Sequence, residues 1–269
     1  MIRVGERTPL ARPRRFALGV DKWVALQRSA ESVGLRLPQD VRLQIEPVDA
    51  ALAGADLDAE LAHASTLLRD HGVIDDDGPV PAVAANLAAL GAADHRIRVS
   101  LAGPDVARLG YYWVDAHLGG SLVRDGLTHT LSLFDARAIG AELLALVPEP
   151  DRHGEGREPF SVPLAAVGPV AAIDDDVPGD LLAATGELVG LHPRDVTRLH
   201  EWSRRTRAVL HVTAVGRDRA PHALVWFLDR DGWWSGRTSN RASRTLTLEP
   251  RRRADLPGEL GNLVAGAWL

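Results

Sequence analysis

The chain carries one four-residue phrase twice. Thr130-Leu131-Ser132-Leu133 and Thr245-Leu246-Thr247-Leu248 differ only by the methyl group that separates Ser132 from Thr247. Each is followed by a loop and an apolar helical stretch, at 138–147 and 256–269. Each is preceded by the same order of elements, two helical stretches and then several strands. A repeated α/β unit of this length predicts one compact body with approximate two-fold internal symmetry. Helices and antiparallel strands are grouped rather than alternating strictly, so the expected class is α+β: two similar halves, with antiparallel sheets flanked by helices. Residues 1–15, rich in Arg, Pro and Gly, read as a flexible tail, and 16–269 as a single domain with halves at about 16–150 and 160–269. The polar stretch 151–159 is the best linker between them.

The local signals are specific enough to place elements. A strand is expected at 16–20, and a helix at 21–33 with Asp21 as its cap and Gly34 as its stop. Val41, Leu43 and Ile45 alternate with polar residues as in a half-buried strand. Leu57, Leu61, Ala64 and Leu68 fall at helical spacing, with Gly72 after them. Pro81 opens a helix that buries Val83, Leu87 and Leu90 and ends at Gly91. Strands are expected at 97–101, 111–116, 122–123 and 128–134. In the second half, helices at 181–190 and from Pro193 (Val196, Leu199 and Trp202 inward) precede strands at 209–215, 222–228, around Trp233-Trp234 and at 245–248. The apolar stretch 161–170 reads as a connection.

Composition excludes more chemistry than it suggests. There is no cysteine, so thiol nucleophiles, disulfides and cysteine-ligated zinc or iron–sulfur sites are ruled out. Lys22 is the only lysine, which removes a phosphate-loop lysine. A net charge of −5 without a basic stripe argues against nucleic acid. No secretory signal and no run of about 18 apolar residues is present, so a cytoplasmic protein without membrane insertion is expected. The triplets Asp75-Asp76-Asp77 and Asp174-Asp175-Asp176 could ligate a cation, but neither has calcium-loop spacing, and solvated turns explain them better. His192 and His200 are separated by the start of a helix, and no serine-nucleophile elbow occurs. No catalytic residue, cofactor or metal is expected.

What remains is surface. Seven Trp against four Phe and two Tyr is unusual, and Trp is a favoured interface anchor. Neighbours in a strand point to opposite faces, so of Trp233 and Trp234 one should face the helices and the other should face outward or into a partner. Strand 222–228 is apolar on both faces: Ala223, Val225 and Phe227 on one, Leu224, Trp226 and Leu228 on the other. One of those faces needs a cover from outside the strand. The expected partner-binding residues are therefore Leu224, Trp226, Trp233, Trp234 and Arg237. The run Arg251-Arg252-Arg253 reads as solvated charge.

The wording of several segments resembles the EspG family of proteins associated with type VII (ESX) secretion in actinobacteria. Leu67-Leu68-Arg69-Asp70-His71-Gly72-Val73-Ile74-Asp75 is similar to that family's helix-to-turn pattern, followed by Gly78-Pro79-Val80-Pro81 and a helix. The strand 128–133, Pro148, Phe160-Ser161-Val162-Pro163 and Asp229-Arg230-Asp231-Gly232-Trp233-Trp234 carry the rest of the likeness, which spans about 15–269. The resemblance implies a quasi-two-fold α/β chaperone, left in the cytoplasm, that binds the helical tip of a PE–PPE heterodimer and keeps it soluble. Two other readings stay open: a small-molecule hydrolase or transferase of α+β fold, and a homodimeric scaffold whose exposed sheet pairs with itself.

Overall fold

A computed structural model describes residues 14–35, 37, 57–115, 117–150, 157–174, 178–216, 220–239 and 244–268. The expected strand at 41–45, most of the expected tail, and residues 151–156 and 175–176 lie outside these. The described chain runs β1 (Arg14–Leu18), α1 (Val20–Ser32), α2 (Leu57–Asp70), a small hairpin of β2 (Ile74–Asp75) and β3 (Gly78–Pro79), α3 (Pro81–Ala92), β4 (Arg96–Gly103), β5 (Val106–Val114), β6 (Leu118–Asp125), β7 (Thr128–Asp135) and α4 (Ile139–Leu144). The second half repeats this order: β8 (Phe160–Pro163), α5 (Leu164–Ala171), α6 (Gly179–Leu188), α7 (Pro193–Arg205), β9 (Ala208–Val215), β10 (His222–Asp229), β11 (Gly232–Thr238), β12 (Thr245–Arg251) and α8 (Leu256–Trp268).

All ten long strands join one antiparallel sheet in the order β1-β7-β6-β5-β4-β9-β10-β11-β12-β8. That order reads the same from either end once the halves are exchanged. The spacing that aligns Thr130 with Thr245 also aligns Ile97 with Val212 and Val99 with Ala214. The register pairs Ile97 with Ala214 and Val99 with Val212. A dyad between β4 and β9 therefore passes beside the pair Arg98↔Thr213. Strand alternation then divides the side chains between two faces.

One face is covered along its middle, while Ala17 on β1 and Ser161 and Pro163 on β8 stay exposed on it. Ile97, Val99, Leu101, Leu210, Val212, Ala214, Trp226 and Trp233 pack under α4 and α8 through Leu143, Leu146, Leu256 and Leu260. The other face carries two separate helical layers. Helices α1, α2 and α3 cover Leu109, Tyr111, Trp113, Leu122 and Leu131, and α5, α6 and α7 cover Phe160, Val162, Trp234, Leu246 and Leu248. Between these layers no helix among the described residues lies over the floor made by β4, β9 and the start of β10: Arg98, Ala102, His211 and Ala223 are exposed there and Val225 is half-buried.

Several expected boundaries move. β1 begins at Arg14, and Val20 belongs to α1, whose N-cap is Gly19; Asp21 lies in the first turn instead of capping it. Gly91 sits inside α3, which continues to Ala92. The stretch 161–170 is not a plain connection. It forms β8 and α5, the second-half counterparts of β1 and α1, so the repeat is longer than the sequence phrases suggested. Its signal is weak because β8 is four residues long with Pro163 at its end, and α5 carries Gly168 and Pro169. The turn glycines are where backbone chemistry requires them: Gly34 (φ 80°) after α1 and Gly72 (φ 64°) after α2.

Candidate partner-binding surface

The floor between the two helical layers is built from alternate residues of three strands. The register sets Arg98 beside Thr213, and Thr213 beside Ala223. One step along, Ser100 stands beside His211, and His211 beside Val225; the next step sets Val209 beside Phe227. On the first-half side the floor rises to Tyr111, which pairs with Arg98. The Arg98 guanidinium lies 6.0 Å from the Tyr111 ring centroid. Leu90, Arg96, Val215 and Pro221 complete a hollow of about 340 Å³ there. On the second-half side the floor runs to Phe227, held edge-on by Trp202 at 4.9 Å between centroids. A larger hollow of about 740 Å³ opens at this end of β10 and β11, lined by Leu164, Val167, Ala223, Val225, Phe227 and Leu246, and around the strand ends by Leu224, Arg237, Glu259 and Leu263.

The expected contact residues divide. Arg237 is exposed and Leu224 half-buried, and both reach the larger hollow. Trp226, Trp233 and Trp234 do not face outward: they are 0%, 0% and 6% exposed. The two faces of β11 do separate the adjacent pair as strand geometry requires, but both faces are covered at these two positions. Trp233 packs against Trp226 at 6.0 Å under α8. Trp226 Nε1–H donates to Glu259 Oε2 at 2.9 Å, which locks the ring to that helix. Trp234 packs edge-on against Phe160 at 5.8 Å, and its Nε1–H donates to Asp229 Oδ2 at 2.7 Å. The outward ring expected from Trp233-Trp234 is thus absent, because α8 covers one face of β11 at Trp233 and the layer of Phe160 and Trp202 covers the other at Trp234. The face of β10 that is left uncovered is that of Ala223, Val225 and Phe227, opposite to Leu224 and Trp226.

Other polar groups that the sequence offered are structural. Arg251 Nε–H donates to Glu259 Oε1 at 2.8 Å, and its guanidinium also pairs with Glu249. Arg253 donates to the carbonyls of Leu144 and Val147, tying the second half to α4 of the first. Only Arg252 of that run is a solvated charge. Arg157, from the stretch expected to be a linker, lies over the Trp234 ring at 4.9 Å and pairs with buried Asp229 at 3.5 Å. His192 caps α7 by accepting the Arg194 N–H, while His200 meets the Ile173 carbonyl, so the two histidines serve separate tasks. Asp75 Oδ1 accepts the Asp77 N–H in the β2–β3 turn. Among the described residues no cluster of His, Asp and Glu has metal-site geometry.

Groups with displaced proton affinity do not converge on either hollow. Burial raises the Tyr112 phenol, with Glu142 adding to the effect. Burial lowers His129 to about 4, with Arg124 adding, and its ring stacks on Trp23 at 5.1 Å in the first-half core. The His129 ring stands in the first-half layer, and Tyr112, although it borders the smaller hollow, packs its side chain into the layer under α4 and α8. Among the described residues no helix is long and apolar enough to cross a membrane.

No protein-family model matches the chain, and no curated protein matches it. A solved structure does. The chain is similar to the structure of the Mycobacterium tuberculosis type VII secretion system chaperone EspG5 in complex with the PE25–PPE41 dimer, with a TM-score of 0.61 and 17% identity, covering 94% of this chain and 97% of that one. The quasi-two-fold α+β architecture, in which the sheet reads the same from both ends, is the EspG fold.

Proposed function

We propose that the protein is a cytoplasmic, stoichiometric chaperone of type VII secretion substrates of the PE–PPE kind, and that it is not an enzyme. The observation that carries this reading is the likeness along nearly the whole chain to a chaperone solved with a PE–PPE dimer. The open floor supports it. Val215, Ala223, Val225 and Phe227 are apolar side chains left half-buried or exposed on one continuous stretch of sheet. A partner that lays an apolar helical tip on this floor removes both surfaces from water, at roughly 25 cal/mol per Å² of apolar area. Leu224 and Arg237 border the same region and extend the contact around the strand ends. The covered tip can then no longer self-associate.

Co-expression with a PE–PPE heterodimer, followed by size exclusion with light scattering, tests the proposal. The expected result is a stable one-to-one-to-one complex. Elution of the chain alone while the heterodimer aggregates overturns it, and a self-associated dimer that excludes the substrate favours a scaffold instead.

A further inference from the structure

The floor is not symmetric about its dyad, although the backbone is. The spacing that aligns the halves sets Arg96 against His211, Arg98 against Thr213 and Ser100 against Val215. Register relates Tyr111, beside Arg98, to Ala223, beside Thr213. One side of the floor thus carries two guanidinium groups and an aromatic wall, and the other carries an imidazole, a hydroxyl and the small apolar side chains Val215 and Ala223. The arginines have no ion pair with any described carboxylate, and β4, β5, β9 and α3, the elements around them, contain no acidic residue at all. This holds in a chain whose 36 acidic residues outnumber its 31 basic ones. Arg98 is exposed at the centre of the sheet, with its guanidinium over Tyr111. A guanidinium is weakly hydrated and presents a planar fork to carboxylates, so a site of this kind favours an acidic group that arrives with apolar surface beside it.

We infer that this floor accepts an α-helical protein tip in one orientation only, with carboxylates of the tip meeting Arg96 and Arg98 and its apolar side chains meeting Val225 and Phe227. The inference rests on the reading of the floor as the docking surface and adds the partner's chemistry and direction. Reversed docking would set apolar side chains against the two guanidinium groups and leave the carboxylates with only His211 and Thr213 among apolar side chains, so the arginines act as specificity residues more than as anchors.

The test uses the full chain and two synthetic helical hairpins with the same apolar turn, one flanked by glutamates and one by lysines. The glutamate hairpin is expected to bind about tenfold or more tightly than the lysine hairpin at low salt, a preference equivalent to one or more charge-assisted contacts. That preference should shrink at high salt and vanish in Arg96→Gln/Arg98→Gln, whose melting temperature should match the parent; Arg96→Glu/Arg98→Glu should invert it. Equal affinity for the two hairpins, or binding of neither, overturns the inference. Capture of a PE–PPE heterodimer equally by the parent chain and by Arg98→Glu also overturns it while leaving the chaperone reading intact. A clear glutamate preference without capture of any PE–PPE heterodimer does the reverse.

Discussion

The two halves share a topology but not a surface. In the first half the positions next to the dyad on β5 are Tyr111 and Trp113, and α3 lies over them. Asn86 on that helix fixes the arrangement: its Oδ1 accepts Trp113 Nε1–H at 2.7 Å and its Nδ2–H donates to the Ser132 carbonyl at 3.0 Å. Gly120 beneath is required by the close approach, since a Cβ there would stand 2.4 Å from both Asn86 Oδ1 and Trp113 Nε1. In the second half the related positions on β10 are Ala223 and Val225, and the helical layer meets the sheet farther out, where Trp202 closes on Phe227 and Trp234 meets Phe160. Where large rings stand beside the dyad a helix covers them; where small side chains stand the floor stays open. A duplicated fold can thus keep its register and core while the volume of a few side chains decides which half leaves its sheet open.

That comparison can be broken most forcefully in the closed part of the second half. Trp233→Ala should cost about 3–5 kcal/mol of stability, the usual range for emptying a fully buried ring site, read from the denaturant midpoint at unchanged slope. A small effect would mean that the ring is not the core element its burial indicates. Next is Asn86→Leu in the first half. It leaves buried Trp113 Nε1–H without a partner, removes the Asn86 donor from the Ser132 carbonyl and should cost about 1–3 kcal/mol; a neutral result would detach α3 placement from this residue.

The acid response should belong to the first half. His129 is buried and held down to about 4 in the folded state, against 6.5 unfolded. The unfolded chain therefore binds the extra proton first as pH falls. The associated stability is complete above pH 6.5 and is lost progressively between 6.5 and 4, amounting to about 2–3 kcal/mol. The aligned second-half residue is Arg244, which is exposed and always charged. The difference between the pH–stability curves of the parent and His129→Phe isolates this effect. Identical curves would remove His129 from the account.

Smaller effects sharpen the distinction between packing and docking. Val225→Asp should weaken binding of the PE–PPE heterodimer by at least about tenfold, close to 1.4 kcal/mol, while changing stability by no more than about 0.5 kcal/mol, as expected of a surface site. Unchanged affinity would move the contact off the open floor. Leu188, 87% exposed on α6, is the control: Leu188→Gln should leave both stability and binding within about 0.5 kcal/mol of the parent.

Much of the fold was legible because its signals are local. Helical spacing in 57–68 and 193–205, the glycines that end α1 and α2, and alternation in 97–101 and 209–215 each depend on a few neighbouring residues. The paired strand phrases exposed the duplication. β8 and α5 escaped because a four-residue strand ending in proline and a short helix with glycine and proline carry almost no periodicity. The open hollow was legible in part: strand 222–228 reads as apolar on both faces, and Leu224 and Arg237 border the hollow. Choosing among its faces, and judging Trp226, Trp233 and Trp234, required knowing where α8 and α7 come to rest.

By itself, the sequence determined the α+β class, the two-fold repetition, the absence of cysteine chemistry and the likeness to EspG, because repetition and composition are properties of the chain read in order. Only the tertiary structure decided which apolar face is spare. Burial is a long-range property: Trp226 is closed by Glu259 on a helix 33 residues away and Trp234 by Phe160 on the edge strand β8, whereas no described element crosses the dyad to cover Val225. Alternation can say that a strand has two faces, but which of them meets water is settled by helices that arrive from elsewhere in the chain.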